Sequence, residues 1–302
     1  MTLQQLKYVA LIAETGSMNE AAKQLFLSQP SLSESVKDLE NEIGITIFNR
    51  TNRGITITPE GDEFLGYVRQ TLSQYSLLEE RYFESGTRKK HFRVSTQHYT
   101  FAVDAFAKMM KKFDMDKYDF GIFETRTAEI IDDVSSFRSN IGVLYMDSEN
   151  RKMLTKLIQS RNCVFVPLFQ CHIYAYVSCD HPFAQKEKVT LEDLKEYTCM
   201  TFDQGNNNAF YLSEEVFHPT EFPRTLKVND RATMLNMMVA LKGYTLCSGI
   251  ICEELNGNGY AAVPVDTEHV MEIGYIISKY AGMNQLREAY IEELIKYKDK
   301  VL

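Results

Sequence analysis

Residues 17–44 read SMNEAAKQLFLSQPSLSESVKDLENEIG, two short helical segments joined by a tight turn. Ser17 and Glu20 form an S-x-x-E capping box that fixes where the first segment begins. Ala21, Ala22 and Leu25 give it a small inner side that another helix can approach closely. Ser28 predicts the cap of the second segment, with Pro30 in its first turn, where a missing N–H costs nothing. Leu32, Val36, Leu39 and Ile43 follow at spacings of 4, 3 and 4, which places them on one buried stripe. Pro30, Ser33, Glu34 and Lys37 occupy the opposite side. A helix gripped along one flank, with a short polar far flank, fits a DNA major groove.

Outward from this stretch, a helix is predicted from about Thr2 to Thr15, with Leu3, Leu6, Ala10 and Ala13 inward, ending at Gly16. After Gly44 the period changes to alternation. Ile45 and Ile47 oppose Thr46, then Ile55 and Ile57 oppose Thr56 and Thr58, with Asn52-Arg53-Gly54 as a hairpin tip. This is a wing, and its Arg50 and Arg53 are suited to backbone phosphate or a minor groove. Thr58 caps a long helix with Pro59 in first position. Its residues Phe64, Val68, Thr71, Tyr75, Leu78 and Tyr82 form a heptad seam, read either as a helix pair or as packing on its own domain.

The first 60 residues or so resemble the winged helix-turn-helix of LysR-type transcriptional regulators. The resemblance rests on MTLQQLKYVALIAETGSMNEAAKQL, LSQPSLSESVKDLENEIGITIFNR and GITITPEG. It implies that Ser28, Gln29, Pro30, Ser31, Ser33, Glu34, Lys37, Arg50 and Arg53 meet double-stranded DNA. Gln29 then suits adenine, Glu34 cytosine and Pro30 a thymine methyl, while Lys37, Arg50 and Arg53 hold phosphates. It also implies pairing of two chains through the long helix, which makes a homodimer read a partly palindromic operator. Homotetramers and contact with RNA polymerase belong to the same implication.

Past Ser85 to Lys90, where periodicity stops, strands and helices alternate. Strands are predicted at His91 to Ser95, Asp119 to Glu124 and Ile141 to Tyr145, with helices at Thr100 to Phe113 and Ala128 to Phe137. Such alternation predicts a parallel sheet with crossover helices. FQCHIYAYVSCDHPFAQKEKVTLEDLKEYTCMTF and VNDRATMLNMMVALKGYTLCSG resemble the family's effector-binding half. Met271 to Lys279 and a helix from Asn284 to Lys298 read as the chain returning to the first lobe.

The implied class is α/β. It comprises a winged helix-turn-helix at 1–58, a dimerising linker helix and hinge at 59–88, and a two-lobed Rossmann-like effector domain of the periplasmic-binding-protein type 2 at 89–302. Lobe I takes 91–163 plus 268–302, and lobe II takes 164–267. Ligands of such lobes sit beyond the carboxyl ends of strands, at helix amino termini. Four loops qualify: Ser95, Thr96, Gln97 and His98; Thr125, Arg126 and Thr127; Thr201, Phe202 and Asp203; and Asn229. Their hydroxyls and free N–H groups suit a small polar or anionic effector.

Composition narrows the alternatives. A length of 302 residues suggests about two domains, and 44% apolar with 25% charged residues is ordinary for a globular protein. No apolar run approaches the ~20 residues of a membrane span, and the first residues lack a signal-peptide pattern, so a cytoplasmic protein without membrane contact is expected. The net charge is −8, and residues 1–58 carry five Lys/Arg against six Asp/Glu, so any DNA-facing surface must be locally positive within a near-neutral domain. Six cysteines, Cys163, Cys171, Cys179, Cys199, Cys247 and Cys252, form no C-x-x-C pair and no zinc spacing, so no metal or cofactor is expected. A redox sensor switching through two of them is the alternative, with Cys171 beside His172 the nearest to an activated thiol. An enzyme or a cytoplasmic solute-binding protein on the same lobes is a third reading. No nucleophile elbow, H-E-x-x-H or phosphate-binding glycine loop supports catalysis.

Overall fold

A computed structural model describes residues 1–51, 54–82, 90–113, 118–205, 209–217 and 222–300. Contacts divide the chain into two compact units, one of Met1–Gly86 with Ser136–Arg138 and Tyr280–Gly282, the other of Thr87–Ser135, Ser139–Lys279 and Met283–Leu302.

In the N-terminal unit, α1 (Leu3–Thr15), α2 (Met18–Gln24) and α3 (Gln29–Ile43) lead into a hairpin of β1 (Phe48–Thr51) and β2 (Gly54–Ile57), then α4 (Pro59–Tyr82). Thr2 caps α1 through a reciprocal box with Gln5, and Gly16 ends it in the left-handed region. The face that α1 buries is Leu6, Val9 and Ile12, so the predicted stripe is corrected by about one residue; Leu3, Ala10 and Ala13 flank it. Ser17 accepts from the Glu20 N–H, but the return half of the expected box is replaced: the Ser17 N–H donates to Thr15 Oγ1. Leu32, Val36 and Leu39 of α3 join the core with Ala21, Ala22 and Ile47.

Thr51 pairs with Gly54 across the hairpin; Asn52 and Arg53, where the tip is expected, lie outside the described residues. Thr58 locks the hairpin base to the long helix. Its N–H donates to the Ile47 carbonyl, its hydroxyl to Thr46, and the same oxygen accepts from the Gly61 N–H. A methyl on Gly61 would collide with the Ile47 carbonyl, so glycine is what lets helix and hairpin touch. The first half of the predicted seam is spent inside this unit: Val68 and Leu65 are buried in its core, with Phe64 and Leu72 against it. Tyr67 and Leu78 remain exposed further out. The Tyr82 side chain and the hinge at 83–89 fall outside the described residues.

The C-terminal unit begins with β3 (Lys90–Thr96), α5 (Thr100–Lys111), β4 (Tyr118–Glu124), α6 (Thr127–Ser135), β5 (Ile141–Met146), α7 (Arg151–Ser160) and β6 (Cys163–Cys171). It crosses to β7 (Tyr174–Ser178), α8 (Leu191–Lys195), β8 (Cys199–Phe202), β9 (Thr225–Val228), α9 (Arg231–Leu241), β10 (Thr245–Cys247), α10 (Glu253–Asn256) and β11 (Tyr260–Pro264). It returns through β12 (Met271–Ser278) and α11 (Gln285–Ile295).

The first lobe's sheet runs β4-β3-β5-β12-β6. β4, β3 and β5 are parallel as expected, but β12 is antiparallel to both β5 and β6. The sheet is therefore mixed, because the returning strand re-enters from the opposite direction. Since β6 pairs along β12, lobe I extends to Cys171, and the crossing comes after it rather than at residue 163. The second lobe combines the antiparallel set β10-β7-β11 with the parallel pair β8-β9, joined by a bridge from Cys199 to Tyr244. β5 is apolar on both faces, as a central strand requires: all six of its residues are buried.

Candidate functional site

The N-terminal unit presents α3 as its polar ridge. Ser28 Oγ accepts from the Ser31 N–H at 3.2 Å and lies 2.7 Å from Ser31 Oγ, so both serines serve the cap. Pro30, Glu34 and Lys37 are exposed and Gln29 and Ser33 half-buried, on the side away from Leu32, Val36 and Leu39. Arg50 lies on β1 opposite Ile55; its side chain, like the whole of Arg53, falls outside the described residues. The structure adds a residue that spacing did not single out. Phe26, at the turn between α2 and α3, is 96% exposed with φ +57°. A bulky residue in the left-handed region is costly, and an aromatic ring fully in water beside the polar ridge has no role in the core.

The C-terminal unit holds a cleft between its lobes, walled by residues of both. Of the expected effector loops, His98 and Phe202 line it. Their rings stack face to face, with centroids 3.6 Å apart. The others are used otherwise. Ser95 is buried and donates to Asp133 at 2.7 Å, with Ser139 also in range. Gln97 donates to Thr127 Oγ1 at 2.7 Å and accepts from the Tyr145 N–H and the Tyr99 hydroxyl. Thr96 and Thr201 are buried, and neither hydroxyl has a hydrogen-bond partner among the described residues. Thr125 donates to Glu129. Asn229 is exposed and precedes Asp230, which caps α9 through the Thr233 N–H.

Arg126, its side chain still 40% exposed, pairs with Glu129 at 3.4 Å and with the loop that follows β8. Its Nε donates to the Asp203 carbonyl at 3.0 Å and its Nη2 to the Asp203 carboxylate at 3.0 Å. The Gly205 N–H donates to the same carboxylate, and a methyl on Gly205 would stand 2.8 Å from Arg126 Nη1. With φ at +66°, glycine is required there twice over. Gln204 completes the loop: its Oε1 accepts from the Thr127 N–H at the start of α6, and its Nε2 donates to Glu214.

Sequence spacing gave no hint of the cleft's charged groups. Glu214 accepts from both the His98 N–H and Nδ1, at 3.1 and 2.8 Å. Arg231 reaches from α9 to Glu124 and to Thr100. Burial pushes the Glu124 carboxyl up even against the pull of Arg231. Glu215 is pushed up to about 8, first by burial and then by its neighbour Glu214, although the Phe202 N–H and the Ser213 hydroxyl donate to it. Asn256 donates to Thr100 and to the Tyr176 hydroxyl. Phe101, Met234, Leu246, Ile250, Ile251 and Met271 form most of the apolar wall. Positive and negative groups far apart in sequence therefore meet in pairs, which residue order alone does not reveal.

Two family models match the chain. Residues 3–62 match the bacterial regulatory helix-turn-helix protein, lysR family, and residues 90–298 match the LysR substrate binding domain. The HTH-type transcriptional regulator AlsR of Bacillus subtilis is 28% identical over 206 residues, covering 67% of this chain and 64% of that protein. The DNA-binding transcriptional dual regulator OxyR of Escherichia coli is 23% identical over 100% of this chain and 99% of its own length. Among solved structures, a full-length OxyR variant from Pseudomonas aeruginosa shares the fold at a TM-score of 0.70, with 17% identity and 98% of each chain covered. Full-length CbnR complexed with its target DNA does so at 0.57, with 18% identity over 98% of this chain and 99% of that one.

Proposed function

The chain belongs to the lysR family of bacterial regulatory helix-turn-helix proteins, and from that premise we propose that it is a DNA-binding transcription regulator whose output is set by a small molecule held between the two lobes. The observation that carries the reading is α3: capped at Ser28, pinned by Leu32, Val36 and Leu39, and polar along its free flank. Gln29, Pro30, Ser33 and Glu34 then meet base edges, and Lys37, Arg50 and Arg53 hold phosphates. The protein acts by binding and not by catalysis. No described helix is long and apolar enough to cross a membrane, and a regulator of this kind works beside the chromosome, so we place it in the cytoplasm. Two copies joined through α4 read a partly palindromic site, and a lobe movement driven by the effector alters their spacing and the contact with RNA polymerase.

The test is selection of the full chain on a random duplex library at low ionic strength. Enrichment of a partial palindrome supports the reading; recovery of unbiased sequence removes it. The OxyR relatives raise a redox alternative, since several are named as hydrogen peroxide-inducible activators. Against it, burial raises the thiols of Cys163 and Cys247 to about 11 and those of Cys171 and Cys199 to about 12. Thiols held so far above neutrality are poor nucleophiles toward peroxide.

A further inference from the structure

The loops expected to receive an anion receive part of the chain itself. Arg126 and the first N–H groups of α6 are the natural seat for a carboxylate or phosphate. Beside the cleft, Asp203 and Glu129 both supply carboxylates to that arginine, Gln204 supplies an acceptor to the Thr127 N–H, and Gly205 lets the loop lie flat against the guanidinium. The two basic side chains lining the cleft are committed to carboxylates as well, Arg231 to Glu124 and His98 to Glu214. An entering anion would find Arg231 already shared with Glu124, and Glu214 in the wall beside His98. Taking a charge out of water without a free partner is costly, so such a ligand is disfavoured. The remaining wall is apolar, with hydroxyl and amide groups at Thr100, Ser248 and Asn256.

Resting on the reading of this cleft as the effector site, we propose that its ligand is an uncharged, largely apolar small molecule with a single hydrogen-bonding head. Within the cleft Arg231 is held by Glu124 and His98 by Glu214, so neither is left to receive a carboxylate or phosphate. The apolar body lies against Met234, Leu246, Ile250 and Met271, and the head turns to Thr100, Ser248 or Asn256. The internal pairs also penalise a cationic ligand less than an anionic one, but leave it no carboxylate free of existing donors.

Three probes that share one ring and differ only in charge test this: benzyl alcohol, benzylamine and benzoate, titrated calorimetrically into the full chain at pH 7. Methionine methyl resonances of Met234 and Met271 report whether binding is in the cleft. The wild-type chain is expected to bind benzyl alcohol at least tenfold more tightly than either charged analogue. Glu124→Gln takes from Arg231, the arginine that lines the cleft, its carboxylate partner and should narrow the alcohol-to-benzoate ratio at least tenfold by raising benzoate affinity. Glu124→Ala removes the same carboxylate without leaving an amide and should move the ratio the same way, which covers a failure of the glutamine variant to fold. Tightest binding of benzoate or benzylamine by the wild-type chain, or a ratio unmoved in a folded variant, overturns the assignment of ligand class and leaves the cleft reading standing. Silence of both methionine signals with all three probes, in the wild-type chain and the variants alike, removes the cleft reading together with the class.

Discussion

Glu215 keeps a proton that the unfolded chain would lose well below neutrality. Its folded value of about 8 stands above the ordinary 4.5, so between those limits the folded state binds one proton more. The stabilisation is complete below about 4.5 and is lost as pH rises toward about 8, at no more than about 1.4 kcal/mol per pH unit. Melting curves between pH 5 and 8.5 should therefore show wild type declining faster than Glu215→Gln, whose side chain has no proton to lose; parallel profiles would contradict the burial argument. The thiols make a second prediction at this scale. Mild peroxide at pH 7 should leave Cys163, Cys171, Cys199 and Cys247 unmodified by mass spectrometry, and a disulfide among them would restore the redox reading. None of these shifts is written in local sequence. Glu214 and Glu215 look like any surface pair until folding buries both.

The elements of the N-terminal unit were far more legible, because their causes are local. Ser28, Pro30 and the stripe Leu32-Val36-Leu39 lie within one helix, and Gly16 and Gly44 each end a helix in the left-handed conformation that glycine favours. Removing the cap by Ser28→Ala should cost about 1 kcal/mol of stability. Leu39→Ala, at a fully buried position, should cost roughly 2–5 kcal/mol. Urea unfolding resolves the two, and equal small losses would mean that α3 is not packed as described. At the groove, Lys37→Ala should weaken all duplexes alike and lower the salt slope by about 0.9, whereas Gln29→Ala should relax preference at one base pair by ~1–3 kcal/mol. Binding titrations over single-base variants and salt separate these effects. The mistaken parts were also local in origin. Alternation cannot tell a parallel strand from an antiparallel one, so β12 was missed as the strand that mixes the sheet.

The pairing of two molecules gives the prediction that belongs to the whole. Two reading helices set one DNA turn apart require half-sites about 10 base pairs apart. Inserting about 5 base pairs between them should abolish tight binding, and inserting about 10 should largely recover it; indifference to spacing would mean that the copies read independently. The cleft was the least legible feature at this scale, since its bonds join residues distant in the chain, such as Arg126 to Asp203 and Arg231 to Thr100. Loop composition showed hydrogen-bonding groups but not which would find partners at home. Gly61 has a mechanical consequence. With no space for even a methyl beside the Ile47 carbonyl, and Thr58 bolting both sides, the long helix has no slack at its root. Torque applied anywhere along that rod should turn the hairpin with it, as a key turns its bit.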